Sequence, residues 1–121
     1  MKRYLAALLL ILAAPTATAS DKWDTVDFAL LTTATTALML DWGQTRRISR
    51  NPDEYYETNS LLGDHPSTGD VDKHFAAVML GTIVIADFLP SAYRKTWLGI
   101  ITAVEVGYVS QNYQIGIRAE F

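Results

Sequence analysis

The chain has 121 residues, half of them hydrophobic, with a formal net charge of −3 and no cysteine. A chain of this length has room for one domain, and without cysteine that domain cannot depend on disulfides. The 10 basic residues do not outnumber the 13 acidic ones, which argues against the clustered Lys and Arg of a nucleic-acid-binding surface.

Residues 1–19 have the pattern of a secretory signal peptide. A short basic start precedes an apolar run over residues 4–14, Pro15 ends that run, and Ala17–Ala19 provides small residues for cleavage. The apolar run is too short to cross a hydrocarbon core of roughly 30 Å. We therefore expect a mature domain over residues 20–121, with an uncleaved signal anchor as the alternative.

Three apolar segments follow, over residues 26–42, 74–90 and 96–110. As helices they are roughly 23–26 Å long at 1.5 Å per residue, slightly short for a bilayer but within what local thinning accommodates. Each contains a long charge-free stretch, whereas a surface helix of a soluble domain has a charged face. The predicted fold class is all-α, a bundle of about three transmembrane helices with a polar loop at 43–73. The alternative is a soluble periplasmic helical domain whose charge-free faces pack on each other.

The predicted location is the bacterial inner membrane. Cleavage of the signal places the new N-terminus in the periplasm, and three spans then leave the C-terminus in the cytoplasm. This order puts Arg46, Arg47 and Arg50 in the cytoplasmic loop, as the positive-inside rule requires. Arg94 and Lys95 fall on the outer turn and oppose it. Alternating residues over 113–121 predict a short strand or an ordered tail.

Carboxylates inside apolar spans are costly, so they are candidates for function. Asp41 and Glu105 fall in the same leaflet in this topology, whereas Asp87 falls at the outer end, near Asp27. The three carboxylates within the segments are part of a larger candidate set for a binding or structural cluster: Asp41, Gln44, Thr45, Glu57, Asn59, Asp87 and Glu105.

The densest part of this set lies near the end of the first segment. Asp41, Gln44 and Thr45 share one helical face because they are three and four residues apart. Glu57 and Asn59 reach them if the loop folds back. Asp41, Glu57 and Glu105 are then candidates for catalysis or for handling protons or ions. The structural alternative is that these groups satisfy one another where the loop packs on the helix end.

Four residues form a weak candidate metal site: His65, Asp70, Asp72 and His74. Zinc and manganese accept such ligands, but the spacing matches no established site. Asp70 and Asp72 also suit the first turn of a helix, where the dipole favours anions. We expect no metal and no cofactor.

The central stretch resembles a group of small bacterial inner-membrane proteins of unknown function. Their pattern is a span ending in Asp, a Thr shortly after it, and a Glu-x-Asn-Pro-Leu element before a further loop. Asp41, Thr45 and the segment 57–63 stand in those places, with Ser60 instead of the proline. With the continuation over residues 63–67, the stretch also resembles small proteins of tailed phages and proteobacteria, which implies that the protein could be phage-encoded. The resemblance implies a helical membrane protein and transfers no mechanism.

These patterns together predict a structural or interaction component of the envelope. Its expected partner is the lipid bilayer, with other membrane proteins or self-association as further partners and no nucleic acid. The alternative from another class is a membrane-embedded enzyme or ion-handling protein that uses Asp41, Glu57, Asn59 and Glu105. No catalytic signature favours the enzyme.

Overall fold

A computed structural model describes residues 21–121, and the predicted signal peptide lies outside them. Over the described residues the chain forms three helices and no strand: α1 (Thr25–Arg50), α2 (Thr68–Phe88) and α3 (Ser91–Gln114). The all-α prediction is confirmed. Within residues 21–121, no helix combines the length and the apolarity that crossing a membrane requires.

Local chemistry explains where the helices begin and end. The Asp24 carboxylate accepts from the Asp27 amide at 2.8 Å, and the Asp27 carboxylate accepts from the Asp24 amide at 3.0 Å, a reciprocal cap at the start of α1. At the start of α2, the Ser67 hydroxyl accepts from the Asp70 amide at 3.1 Å and caps the helix. At the end of α3, Gly116 has φ +89° and the Ile117 amide donates to the Asn112 carbonyl at 2.9 Å. This left-handed turn directs the tail back toward the bundle.

The polar loop is shorter than the predicted 43–73, because α1 continues to Arg50 and α2 already begins at Thr68. Charges do not end a helix, and the basic side chains in the last turn of α1 interact favourably with its dipole. The helix ends at Arg50 because Asn51, its C-cap, precedes Pro52 and is therefore disfavoured in helical geometry. Over the described residues, the tail after α3 contains no strand.

The three helices form a bundle with α1 packed against both others. Helices α1 and α3 run parallel, since Asp27 contacts Arg94 near their starts and Gln44 contacts Asn112 near their ends. Helix α2 is antiparallel to both. The apolar core between them consists of Ala34, Leu38, Val71, Phe75, Ala86, Leu89, Trp97, Leu98 and Ile101.

Polarity is distributed unusually across this bundle. Several charged side chains are buried, Arg94, Asp27 and Glu105 completely. Large apolar side chains are instead exposed on all three helices, and we call those between residues 28 and 106 of the helices the apolar belt: Phe28, Met39, Leu40, Leu80, Ile83, Val84, Phe88 and Val106. Further exposed apolar side chains lie outside this set, among them Val26, Leu61, Ile115 and Phe121. Soluble domains rarely expose a large contiguous apolar surface without a partner that covers it.

Candidate functional site

Most of the predicted polar residues meet at one end of the bundle, which we call the polar end. It is formed by the C-terminal halves of α1 and α3, the loop 51–67 and the tail 115–121. The predicted residues buried in the bundle are Asp41, Gln44, Thr45, Glu57, Asn59 and Glu105. Burial of so many polar groups requires that each finds a partner.

A cavity of about 260 Å³ opens at the polar end. Asp41 from α1 and Glu57 from the loop both line it, although each side chain is more than nine-tenths buried. A third carboxylate, that of Glu54, also lines the cavity. Aromatic, amide, hydroxyl and aliphatic side chains form the rest of the wall: Ile48, Tyr55, Tyr56, Thr58, Tyr108, Gln111, Asn112, Ile115 and Ile117. The loop therefore folds back toward Asp41, and an open cavity lies between the two.

Gln44 joins three parts of the chain and lies beside this cavity. Its side-chain amide donates to the carbonyls of Val109 at 3.2 Å and Ile117 at 3.3 Å, and its carbonyl oxygen accepts from Asn112 at 3.2 Å. A buried amide with these partners is satisfied on both its donor and its acceptor side. Gln44 thus holds α1 to α3 and to the tail, a structural role.

Asn59 organises the loop and contacts α2. Its backbone amide donates to the Glu57 carboxylate at 2.8 Å, and its side-chain oxygen accepts from the Leu61 amide at 3.1 Å. Its side-chain nitrogen lies 3.2 Å from His74 Nε2. Such Asn contacts with the following backbone fix a turn. Asn59 therefore positions Glu57 at the cavity.

The three carboxylates of the apolar segments divide between the two ends. Thr45 Oγ1 donates to Asp41 at 3.4 Å, and Glu105 is fully buried one helical turn before Tyr108, which lines the cavity with Asp41. Asp87 lies at the opposite end, where it accepts from the Trp23 indole N–H at 2.9 Å. Asp87 is therefore separate from the polar end.

The four weak metal candidates do not converge. Asp72 forms an ion pair with Arg46 at 2.9 Å and accepts from the Trp42 indole at 2.8 Å. Asp70 lies in the capped first turn of α2, and His65 lies in the exposed loop. Within residues 21–121 no group of three or more His, Cys, Asp or Glu side chains is placed to hold a metal ion.

The opposite end contains a buried ion network that the sequence analysis missed. Arg94 donates to Asp27 at 2.9 Å and also to four backbone carbonyls, those of Asp21, Lys22, Ala86 and Leu89. All N–H-bearing nitrogens of the guanidinium are thereby used. The sequence signal is the adjacent pair Arg94–Lys95, which the predicted topology places on the same side as the acidic residues at the start of α1.

Lys95 extends this network to the helix cap. Its ammonium donates to Asp24, Asp27 and the Ser91 hydroxyl, each at 2.9 Å. The hydrogen bond from Lys95 lowers the pKa of the Asp24 carboxyl, with help from the Asp27 amide. The same bond, with a second to Asp27, raises the pKa of Lys95. This end is consequently held by ion pairs that favour the charged forms.

Comparison of the chain with protein-family models, curated proteins and solved structures gives no match. The resemblance carried by Asp41, Thr45 and the segment 57–63 therefore stays a prediction.

Proposed function

We propose that this protein is a small structural or interaction component of the bacterial inner membrane, inserted as a three-helix bundle through its apolar belt. The observation that carries the proposal is the reversed polarity of the bundle. Charged side chains are buried between the helices, as Asp27 with Arg94 shows, while Leu80 and Phe88 are 64% and 75% exposed. In a bilayer both features are favourable, because lipid covers the belt and ions pair inside the bundle.

Polar groups bound the belt at both ends. Trp23 and Asp87 mark one boundary and Trp42 and Asp72 the other, each pair joined by an indole–carboxylate hydrogen bond. Tryptophan is favoured at membrane interfaces for this combination of apolar ring and polar edge. Asp72 and Asp87 are separated by about 22 Å along α2, so the proposal requires a locally thinned bilayer.

The charge distribution supports an orientation with the polar end in the cytoplasm. In the sequence, Arg94 and Lys95 opposed this orientation. In the structure their charges are neutralised by ion pairs, Arg94 with Asp27 and Lys95 with both Asp24 and Asp27. At the polar end Arg46 is also paired, but Arg47 and Arg50 are partly exposed and share Glu120 at the longer distances of 3.9 and 3.5 Å. Positive charge is therefore most available at the end proposed to face the cytoplasm.

Extraction of washed membranes with alkaline carbonate tests the proposal. We expect the protein to remain in the pellet, and Leu80→Lys to increase its release, because a lysine in the middle of the belt disfavours contact with hydrocarbon. Thr58→Lys, at an exposed loop position outside the belt, is the matched control. Complete release of the unmodified protein would contradict insertion and favour the soluble periplasmic domain.

The cavity supports a second candidate, a protein that handles protons or small cations. Asp41 and Glu57 line one cavity from different segments of the chain, and neighbouring carboxylates can share a proton or coordinate a cation. The test is flux of protons or potassium into proteoliposomes. Flux lost in Asp41→Asn and Glu57→Gln at unchanged protein abundance would favour this candidate, and reduced abundance alone would favour a structural role.

A further inference from the structure

A second cavity lies on the outside of the bundle, between the start of α1 and the end of α2. Its volume is about 460 Å³, within the range of small-molecule sites. Six of its seven lining residues are apolar or aromatic: Trp23, Phe28, Leu31, Ile83, Val84 and Phe88. We call this cavity the belt groove, because it opens on the apolar belt.

The one carboxylate in the groove is Asp87, and it lies at the polar boundary of the belt. Its Oδ1 accepts from the Trp23 indole at 2.9 Å, which fixes the side chain at the groove's end. The other carboxylates of this end are engaged differently: Asp24 and Asp27 bind Lys95, and Asp27 also binds Arg94. Among residues 21–121 no Lys or Arg forms an ion pair with Asp87.

Two side chains pack against the Trp23 ring and hold it in this position. The Arg94 guanidinium carbon lies 4.7 Å from the centre of its ring, and the Phe28 ring lies 5.3 Å from it at a tilt of 36°. The groove therefore has a firm aromatic wall on one side, and Asp87 is presented beside it. Preformed apolar walls with one placed polar group are typical of ligand sites.

We propose that the belt groove binds a membrane lipid whose headgroup ends in an ammonium group, as in phosphatidylethanolamine. The ammonium lies on Asp87 at the polar boundary, and one acyl chain extends along Phe28 and Val84 into the belt. Charge decides the headgroup, because an unpaired carboxylate attracts a cation and repels a headgroup with only negative charge. The proposal rests on insertion of the bundle into a bilayer, since that insertion brings lipid to this face.

Native mass spectrometry of the protein in detergent tests the headgroup directly. The micelles contain equal amounts of ethanolamine-headed and glycerol-headed lipid with identical acyl chains. We expect the bound ethanolamine lipid to exceed the glycerol lipid by about tenfold, as a charge-assisted hydrogen bond allows. Asp87→Asn removes the charge and should abolish this preference, while Asp53→Asn, an exposed carboxylate outside the groove, should preserve it.

A second variant tests the groove independently of the charge. Val84→Trp fills the groove from an exposed position and should lower binding of both lipids. Circular dichroism shows whether each variant is folded. Equal binding of the two lipids by the unmodified protein would overturn the proposal without affecting membrane insertion, which carbonate extraction tests separately. A lipid-free dimer that Val84→Trp dissociates would overturn it in favour of a second copy.

Discussion

The guanidinium of Arg94 and the carboxylate of Asp27 lie 2.9 Å apart in an ion pair from which solvent is fully excluded. The two residues belong to α3 and α1, and Arg94 also binds the last turn of α2 and the segment before α1. One side chain thus closes this end of the bundle. Burying such a pair is costly unless the remaining donors are satisfied, and here they are.

Replacing Arg94 should therefore be severely destabilising. Arg94→Met leaves the carbonyls of Asp21, Ala86 and Leu89 without their donor and weakens the neutralisation of Asp27. We expect the free energy of unfolding to fall by about 3–5 kcal/mol, measured by chemical denaturation followed by circular dichroism.

The control for Arg94→Met is Lys22→Met, which removes an exposed positive charge at the same end. It should change the free energy of unfolding by only about 0.5 kcal/mol. The double variant Arg94→Met with Asp27→Asn should cost less than the sum of its single variants, because the two groups interact. Strict additivity would contradict the energetic role given to the pair.

The tail approaches α1 closely at Gly43. A Cβ added there would lie 2.7 Å from the Ala119 Cβ, and the Glu120 amide donates to the Gly43 carbonyl at 3.1 Å. Gly43→Ala should displace the tail, costing about 1–3 kcal/mol through overpacking. The readout is faster tryptic cleavage after Arg118, followed by loss of the last three residues in the mass spectrum.

Gly99→Ala is the matched comparison for Gly43→Ala. Gly99 also lies within a helix, but a Cβ there meets no atom within 4 Å. We expect unchanged cleavage of the tail and a gain in stability of about 1 kcal/mol from helix propensity. Equal behaviour of the two variants would show that the tail does not depend on this close approach.

Asn59 should control the order of the loop that presents Glu57. Asn59→Ala removes the acceptor for the Leu61 amide and the contact with His74, at a cost of about 1–3 kcal/mol for the groups left unsatisfied. Hydrogen exchange of the amides over residues 57–63 should accelerate. Thr58→Ala, at the exposed neighbouring position, should leave exchange unchanged; equal protection in both variants would contradict the role of Asn59.

Stability should fall in acid partly because of Asp24. Since Lys95 lowers the pKa of Asp24 in the folded protein, its contribution is present above the unfolded value of about 3.9 and is lost as pH falls through the lower folded value. Asp24→Asn keeps a good helix cap but removes this titration. Melting temperatures measured between pH 2 and 6 should therefore depend less on pH in the variant than in the unmodified protein.

Lys95 should contribute to the pH dependence of stability at the alkaline end. Its pKa is raised by the hydrogen bonds to Asp24 and Asp27, so its contribution is complete below the unfolded value of about 10.4 and is lost as pH rises through the higher folded value. Lys95→Met should flatten the melting profile above pH 10. A slope unchanged in this variant would assign the alkaline transition to another group.

Part of the polar end could be predicted from the sequence because its determinants are local. Asp41, Gln44 and Thr45 share a helical face by spacing alone, whereas the burial of Glu57 and Asn59 depends on how the loop folds back, which the sequence left open. The first predicted apolar segment ends at residue 42, near the change from apolar to basic residues, but α1 continues to Arg50. Helix geometry continues until a backbone signal ends it, here Asn51 before Pro52.

By itself the sequence determined the helical class, the charge-free outer faces and the grouping of polar residues near Asp41, because periodicity and composition are properties of short segments. Only the tertiary structure revealed the pairing of Arg94 with Asp27 and the groove beside Asp87. These join residues more than fifty positions apart, and their partners are fixed by the direction and register in which α1, α2 and α3 pack. The packing of distant segments determines which charged side chains are buried together. It also places Asp87 at the groove without a cationic partner in the described chain.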